Sequence, residues 1–125
     1  MNTLIFIACG GAVGALLRYS LQVAIPAATG KLPVAMLLAN VLGSLAMGIL
    51  FVLIQEKTLL AEWLRPLLMV GLLGAFTTFS TFSLDTIRLL EAGQFTVAVT
   101  NILLSVVLSV GAAYIGITIT RLLSQ

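Results

Sequence analysis

Four long apolar stretches, parted by short polar punctuation, make up nearly the whole chain. The first runs from about Asn2 to Ile25 and stops at Pro26; the others cover about 34–55, 66–90 and 95–123. An α-helix needs roughly 20 apolar residues to cross the ~30 Å hydrocarbon core of a bilayer, and each stretch meets that length. A transmembrane β-barrel would show alternating segments of about ten residues, whereas these runs are continuous. PAATGKLP (26–33) carries the proline and glycine of a turn. EKTLLAEW (56–63) mixes both signs of charge with a tryptophan, as an aqueous loop with an interfacial anchor does. EAGQ (91–94) is a short polar separator, and Pro66 suits the first turn of the third helix. The pattern predicts an all-α integral membrane protein, with four transmembrane helices forming one transmembrane domain over 1–125. Loops this short leave no room for an extramembrane catalytic domain, so no enzyme is expected.

Composition agrees with the pattern. Hydrophobic residues make up 61% of the 125 and charged residues 8%, with a mean hydropathy of +1.23; soluble domains carry about 25% charged residues. The first stretch lacks a basic leader and runs too long for a signal peptide, so it is expected in the mature protein. Cys9 is the sole cysteine and there is no histidine, which excludes a disulfide framework and a cysteine–histidine metal cluster. A net charge of +2 is too small to suggest a nucleic-acid surface.

Charge is also silent on orientation. Lys57, Arg65 and Arg121 fall on the side that holds the second loop and both termini. Lys31 falls on the other, joined by Arg18 and Arg88 if those long side chains snorkel that way. An even division gives the positive-inside rule nothing to act on. Noise in a small count would produce it, and so would insertion both ways up, which permits an antiparallel dimer. Four helices make a thin bundle for a lined path, so at least two chains are expected to assemble.

Within the spans, polar residues fall in patterns. Asn101, Ser105 and Ser109 recur every fourth residue and share a helix face, roughly continued by Gly116 and Thr120. They read equally as a helix-packing seam or as a polar track offering donors to a solute. Asn40 leads Gly43, Ser44, Met47 and Gly48 in the second span, and Gly10, Gly11, Gly14 and Ala15 precede Arg18 in the first. The glycines suit close helix approach. An amide near mid-span is costly unless partnered, so Asn40 is either structural glue or a ligand for something moving past it. No acidic residue lies deep in spans one, two or four. Asp85, three residues before Arg88, allows a weak pair on one face. Arg18 sits near enough to the span's end to snorkel, or to lend positive potential to the mouth of an anion path.

The densest cluster is GAFTTFSTFS, residues 74–83. Gly71 and Gly74 loosen the helix, and threonine hydroxyls compete for backbone groups. Either the helix stays whole with intrahelical hydroxyl bonds, or it breaks and frees carbonyls for a cation and N–H groups for an anion. Such a break is tolerated at membrane depth only against protein or a polar cavity. Phe79 and Phe82, three apart, share a face. They are either packing rings or aromatic edges whose positive quadrupole attracts a small anion.

Three motifs carry a resemblance: GGxxGxxxR over Gly10–Arg18, NxxGS over Asn40–Ser44, and GxxTTFSTF over Gly74–Phe82. With them, the chain resembles the CrcB/Fluc family of fluoride channels along essentially its whole length. The resemblance implies a third helix broken near its middle and an antiparallel, dual-topology homodimer holding two fluoride pathways in the cell inner (plasma) membrane, with lipid around it. It implies fluoride sites at the edges of Phe79 and Phe82, and Asn40 as a hydrogen-bond donor to the anion. Ser105 and Ser109 match the family's hydroxyl track, with Ser80 and Thr81 near the break, and Arg18 matches its vestibule arginine. The main-chain carbonyls of Gly74 and Thr77 in each subunit match the ligands of a central structural sodium ion. An aromatic residue heads the family's track, and here Asn101 stands at about that place. Such a channel passes fluoride out passively, lowering cytoplasmic fluoride and giving resistance to it. A dual-topology exporter of hydrophobic cations would want an acidic residue in span one, which is absent. A non-conducting membrane scaffold would leave Asn40 and the paired phenylalanines without a task.

Overall fold

The computed structural model describes residues 2–125. Helix α1 spans Asn2–Ala24, α2 spans Val34–Glu56, and α5 spans Phe95–Leu123. Between α2 and α5 the third long apolar segment, Arg65–Glu91, is two helices rather than one: α3 (65–76) and α4 (Phe79–Glu91). All four segments have the length and hydropathy to cross a bilayer. The last turn of α2, Phe51–Glu56, and the start of α3, Arg65–Leu73, are wound more widely, as π-helix. Such winding shifts backbone hydrogen bonds to the fifth residue back, as in the bond from Lys57 N–H to the Val52 carbonyl (2.7 Å).

Packing follows the small residues. The most extensive helix pairs are α2 with α5 and α1 with the start of α3. At Gly14 the α1 backbone lies against the Leu72 carbonyl, and an added Cβ would overlap it. The buried core is small: Ala35, Met36, Ala39, Val52 and Ile54 of α2, with Leu73, Leu89 and Ala98. Large apolar side chains such as Leu4, Leu16, Val107 and Leu123 stand outward, mostly exposed. That inversion of a soluble protein's arrangement is what a lipid solvent permits, since lipid tails are as apolar as leucine.

Hydroxyls inside the helices return to the chain. Ser20, Thr77, Ser83, Thr86, Thr100 and Ser124 each donate to the carbonyl four residues back, at 2.6–3.0 Å. At the end where α2 and α5 finish, Arg121 grips Glu56 through two bonds of 2.7 Å each. That ion pair is the only one among the described residues. The weak Asp85–Arg88 pair allowed by their spacing is not formed within salt-bridge distance.

Candidate functional site

The break falls on Thr77 and Thr78, whose backbones are extended (φ −88°, ψ 153° and φ −153°, ψ 126°). Thr77 ends α3 conventionally, donating both its N–H (3.1 Å) and its hydroxyl (3.0 Å) to the Leu73 carbonyl. Thr78 begins α4 as an N-cap, its Oγ1 accepting from the Thr81 N–H at 3.3 Å. The same oxygen lies 3.1 Å from Ser80 Oγ and 3.4 Å from Thr81 Oγ1. Threonine and serine prefer this position because their short hydroxyls can satisfy the orphan N–H groups of a first turn.

A break inside a membrane exposes backbone polar groups that must be matched by protein. Two distant side chains do this. Asn40 of α2 accepts from the Thr78 N–H through Oδ1 (2.9 Å) and donates to the Thr78 carbonyl through Nδ2 (3.3 Å). Arg18 of α1 donates its Nε to the Ala75 carbonyl at 3.1 Å. Asn40 therefore has a structural task, and its NH₂ carries a second hydrogen that this pairing does not use. Arg18 is turned toward the break. The residues of the break form no backbone hydrogen bond to the carbonyls of Gly74 or Thr77. Gly43, one turn beyond Asn40, is required by the same junction, because a Cβ there would overlap the Thr77 side chain.

Beside the break lies a cavity of about 280 Å³ lined by Asn40, Ser44, Thr77, Thr78, Phe79, Phe82, Ser105, Val106, Ser109 and Val110. The structure thus brings Asn40, Phe79, Phe82, Ser105, Ser109 and Thr77 to one space. Ser80 and Thr81 serve the cap of α4 and do not line the cavity, and neither do Gly74 and Arg18. The rings of Phe79 and Phe82 have centroids 5.4 Å apart at an interplanar angle of 47°, a tilted pair. Phe79 is 78% exposed, so the cavity is open on that side. The Ser109 hydroxyl is buried with no hydrogen-bond partner. A buried polar atom left unpaired is uncommon and calls for a cause.

Thr86 is the residue that the sequence patterns did not single out. It is buried (8% exposed), accepts from Asn101 Nδ2 at 3.1 Å and donates to the Phe82 carbonyl at 2.8 Å. Its place at i+4 from Phe82 was the available signal. No group of histidine, cysteine, aspartate or glutamate among the described residues could hold a metal ion.

A broken apolar helix, braced by an amide and an arginine and facing a cavity lined by hydroxyls, aromatic rings and valines, marks a helical membrane protein with a polar site inside its spans. The chain belongs to the CrcB-like family: the family model described as "CrcB-like protein, Camphor Resistance (CrcB)" matches residues 5–117. It is 47% identical over 115 residues to "Fluoride-specific ion channel FluC" of Saccharophagus degradans, covering 92% of this chain and 86% of the relative. Its identity to the protein of the same name from Magnetococcus marinus is 48% over 119 residues (94% and 97% covered). For that of Coxiella burnetii it is 44% over 125 residues (97% and 98% covered).

Proposed function

We propose that the protein is a fluoride-selective channel that lets fluoride leave the cytoplasm passively and so confers fluoride resistance. The carrying observation is the cavity where the Ser109 hydroxyl, buried without a partner, meets Ser105, Asn40 and the Phe79–Phe82 pair. Fluoride is small and holds its water tightly, so a dry path must replace that water with close donors. Hydroxyls and the spare Asn40 N–H are such donors, and ring edges add a weak attraction that does not trap the ion. A side-chain carboxylate or imidazole is missing from the cavity lining, which favours a leak of ions over proton-coupled pumping and involves no covalent chemistry.

The working unit in this reading is an antiparallel homodimer inserted in both orientations, in the cell inner membrane. Supporting it is the exposure of Phe79 beside an open cavity, which a second subunit would close. A structural sodium ion at the dimer centre fits the residues present: carbonyl oxygens suit hard cations, and those of Gly74 and Thr77 stand free of the break's own hydrogen bonds. Bound there, sodium would supply positive charge and tie the subunits together, while Arg18 and Asn40 hold the Ala75 and Thr78 carbonyls out of the ligand set.

The test is efflux from proteoliposomes loaded with either potassium fluoride or potassium chloride, with valinomycin to carry the countercharge. Fast fluoride loss with chloride retained is the expected result. Equal rates, or no fluoride loss, would overturn the proposal.

A further inference from the structure

Between α4 and α5 lie Thr86, Asn101 and Ser105, buried polar residues with 8%, 1% and 8% exposure. Their hydrogen bonds run in one direction. Ser105 Oγ donates to Asn101 Oδ1 (3.4 Å), Asn101 Nδ2 donates to Thr86 Oγ1 (3.1 Å), and Thr86 Oγ1 donates to the Phe82 carbonyl (2.8 Å). In this polarity the Ser105 proton points along α5 to Asn101, and the Ser105 oxygen offers the cavity lone pairs rather than a donor. An anion in that cavity requires the opposite.

A carboxamide has nearly the same shape at its two ends but opposite polarity: NH₂ donates and O accepts. A half-turn of the Asn101 amide makes it donate to Ser105 Oγ and accept from the Thr86 hydroxyl. The Ser105 proton is then released toward the cavity. Each of the three side chains keeps a partner in both polarities, so the turn orphans none of them, and an orphan is the costly outcome for a buried polar group. The Phe82 carbonyl loses only its extra bond from Thr86. With leucine at position 101, Ser105 has no side-chain partner and falls back on the carbonyl four residues before it, as the other helical hydroxyls here do.

We propose that Asn101 and Thr86 are positioning residues for conduction: together they turn the Ser105 hydroxyl between acceptor and donor as fluoride passes. This rests on the fluoride-channel reading. The Ser109 hydroxyl, one turn further along α5 and already without a partner, is the next donor on the same face.

The experiment measures fluoride efflux, per reconstituted channel, for the wild type, Thr86→Val, Thr86→Ser, Asn101→Leu and the Thr86→Val/Asn101→Leu double variant. The relay predicts that the valine and leucine variants each slow efflux at least tenfold. Thr86→Ser, which keeps the hydroxyl, stays within about threefold of wild type, and the double variant is no slower than the slower single, because both changes cut one unit. Wild-type rates in both single variants, Thr86→Ser as slow as Thr86→Val, or losses that multiply in the double would each overturn it. A second readout needs no variant: the side-chain amide ¹⁵N–¹H signals of Asn101 in the wild-type protein. They should shift on adding fluoride and stay fixed with chloride; signals indifferent to fluoride would refute the relay. Wild-type channels that conduct while the variants are unaffected remove the relay alone. Wild-type protein that passes no fluoride removes the channel reading and the relay with it.

Discussion

Asn40→Leu is the sharpest perturbation of the break, because one side chain satisfies both backbone groups of Thr78. Leucine is close in size to asparagine and fills the space without either bond. A net hydrogen bond contributes about 0.5–1.5 kcal/mol, while a buried group left unpaired costs about 1–3 kcal/mol. The junction is only part-buried and adjoins the cavity, which puts both groups at the lower end, for a total of about 2–3 kcal/mol. That is roughly a 30- to 150-fold shift in the folding equilibrium. Reversible unfolding by SDS in mixed micelles reads it directly. Asn40→Asp separates the two tasks of the residue. It keeps an acceptor for the Thr78 N–H and so loses less stability, yet it sets a carboxylate on the cavity wall. Two like charges 4 Å apart repel by about 4 kcal/mol at an effective dielectric of 20, so fluoride efflux should nearly cease. A leucine variant as stable as wild type, or an aspartate variant conducting at the wild-type rate, would refute the reasoning.

Other predictions concern the same junction. Gly43→Ala forces a Cβ into the Thr77 side chain and should cost about 1–3 kcal/mol, the usual penalty of overpacking; adding Thr77→Ser removes the overlapping Cγ2, keeps the hydroxyl, and should restore most of the lost thermal stability in detergent. Phe79→Ile and Phe82→Ile should each slow fluoride efflux greatly while size-exclusion chromatography still shows the dimer, and undiminished flux in both would remove the ring-edge sites. Exchange of all sodium for N-methylglucamine should lower dimer stability or flux, and indifference of both would count against the Gly74 and Thr77 carbonyls as ligands.

How much of this was legible in the sequence depends on the range of the interaction involved. The four spans were, because hydropathy over some twenty residues is a local property and the bilayer demands it. The break was legible only as one of two alternatives. TTFST in a glycine-loosened helix is compatible with hydroxyls bonding back to the helix, and both outcomes in fact occur there. Thr77 bonds back to Leu73, while Thr78 leaves the helix and caps the next one. What decides for a break is Asn40, 38 residues away, and Arg18, 57 residues from Ala75. No local pattern encodes such pairings. The two readings of Asn40, glue or ligand, are not exclusive, since one amide holds Thr78 with a hydrogen to spare. The i, i+4 spacing put Asn101, Ser105 and Ser109 on one face, but only the fold places Thr86 opposite Asn101 and makes that face a directed chain. The π-wound turns at Phe51–Glu56 and Arg65–Leu73 left no sequence signal that composition or periodicity could read.

The central claim, a passive path for fluoride itself, is tested most directly by electrical recording from protein reconstituted in a planar bilayer. With a tenfold fluoride gradient and symmetric sodium and chloride, the current should reverse near the fluoride equilibrium potential, about 59 mV from zero at 25 °C. A reversal potential that stays at zero, or one that follows a chloride gradient instead, would contradict it.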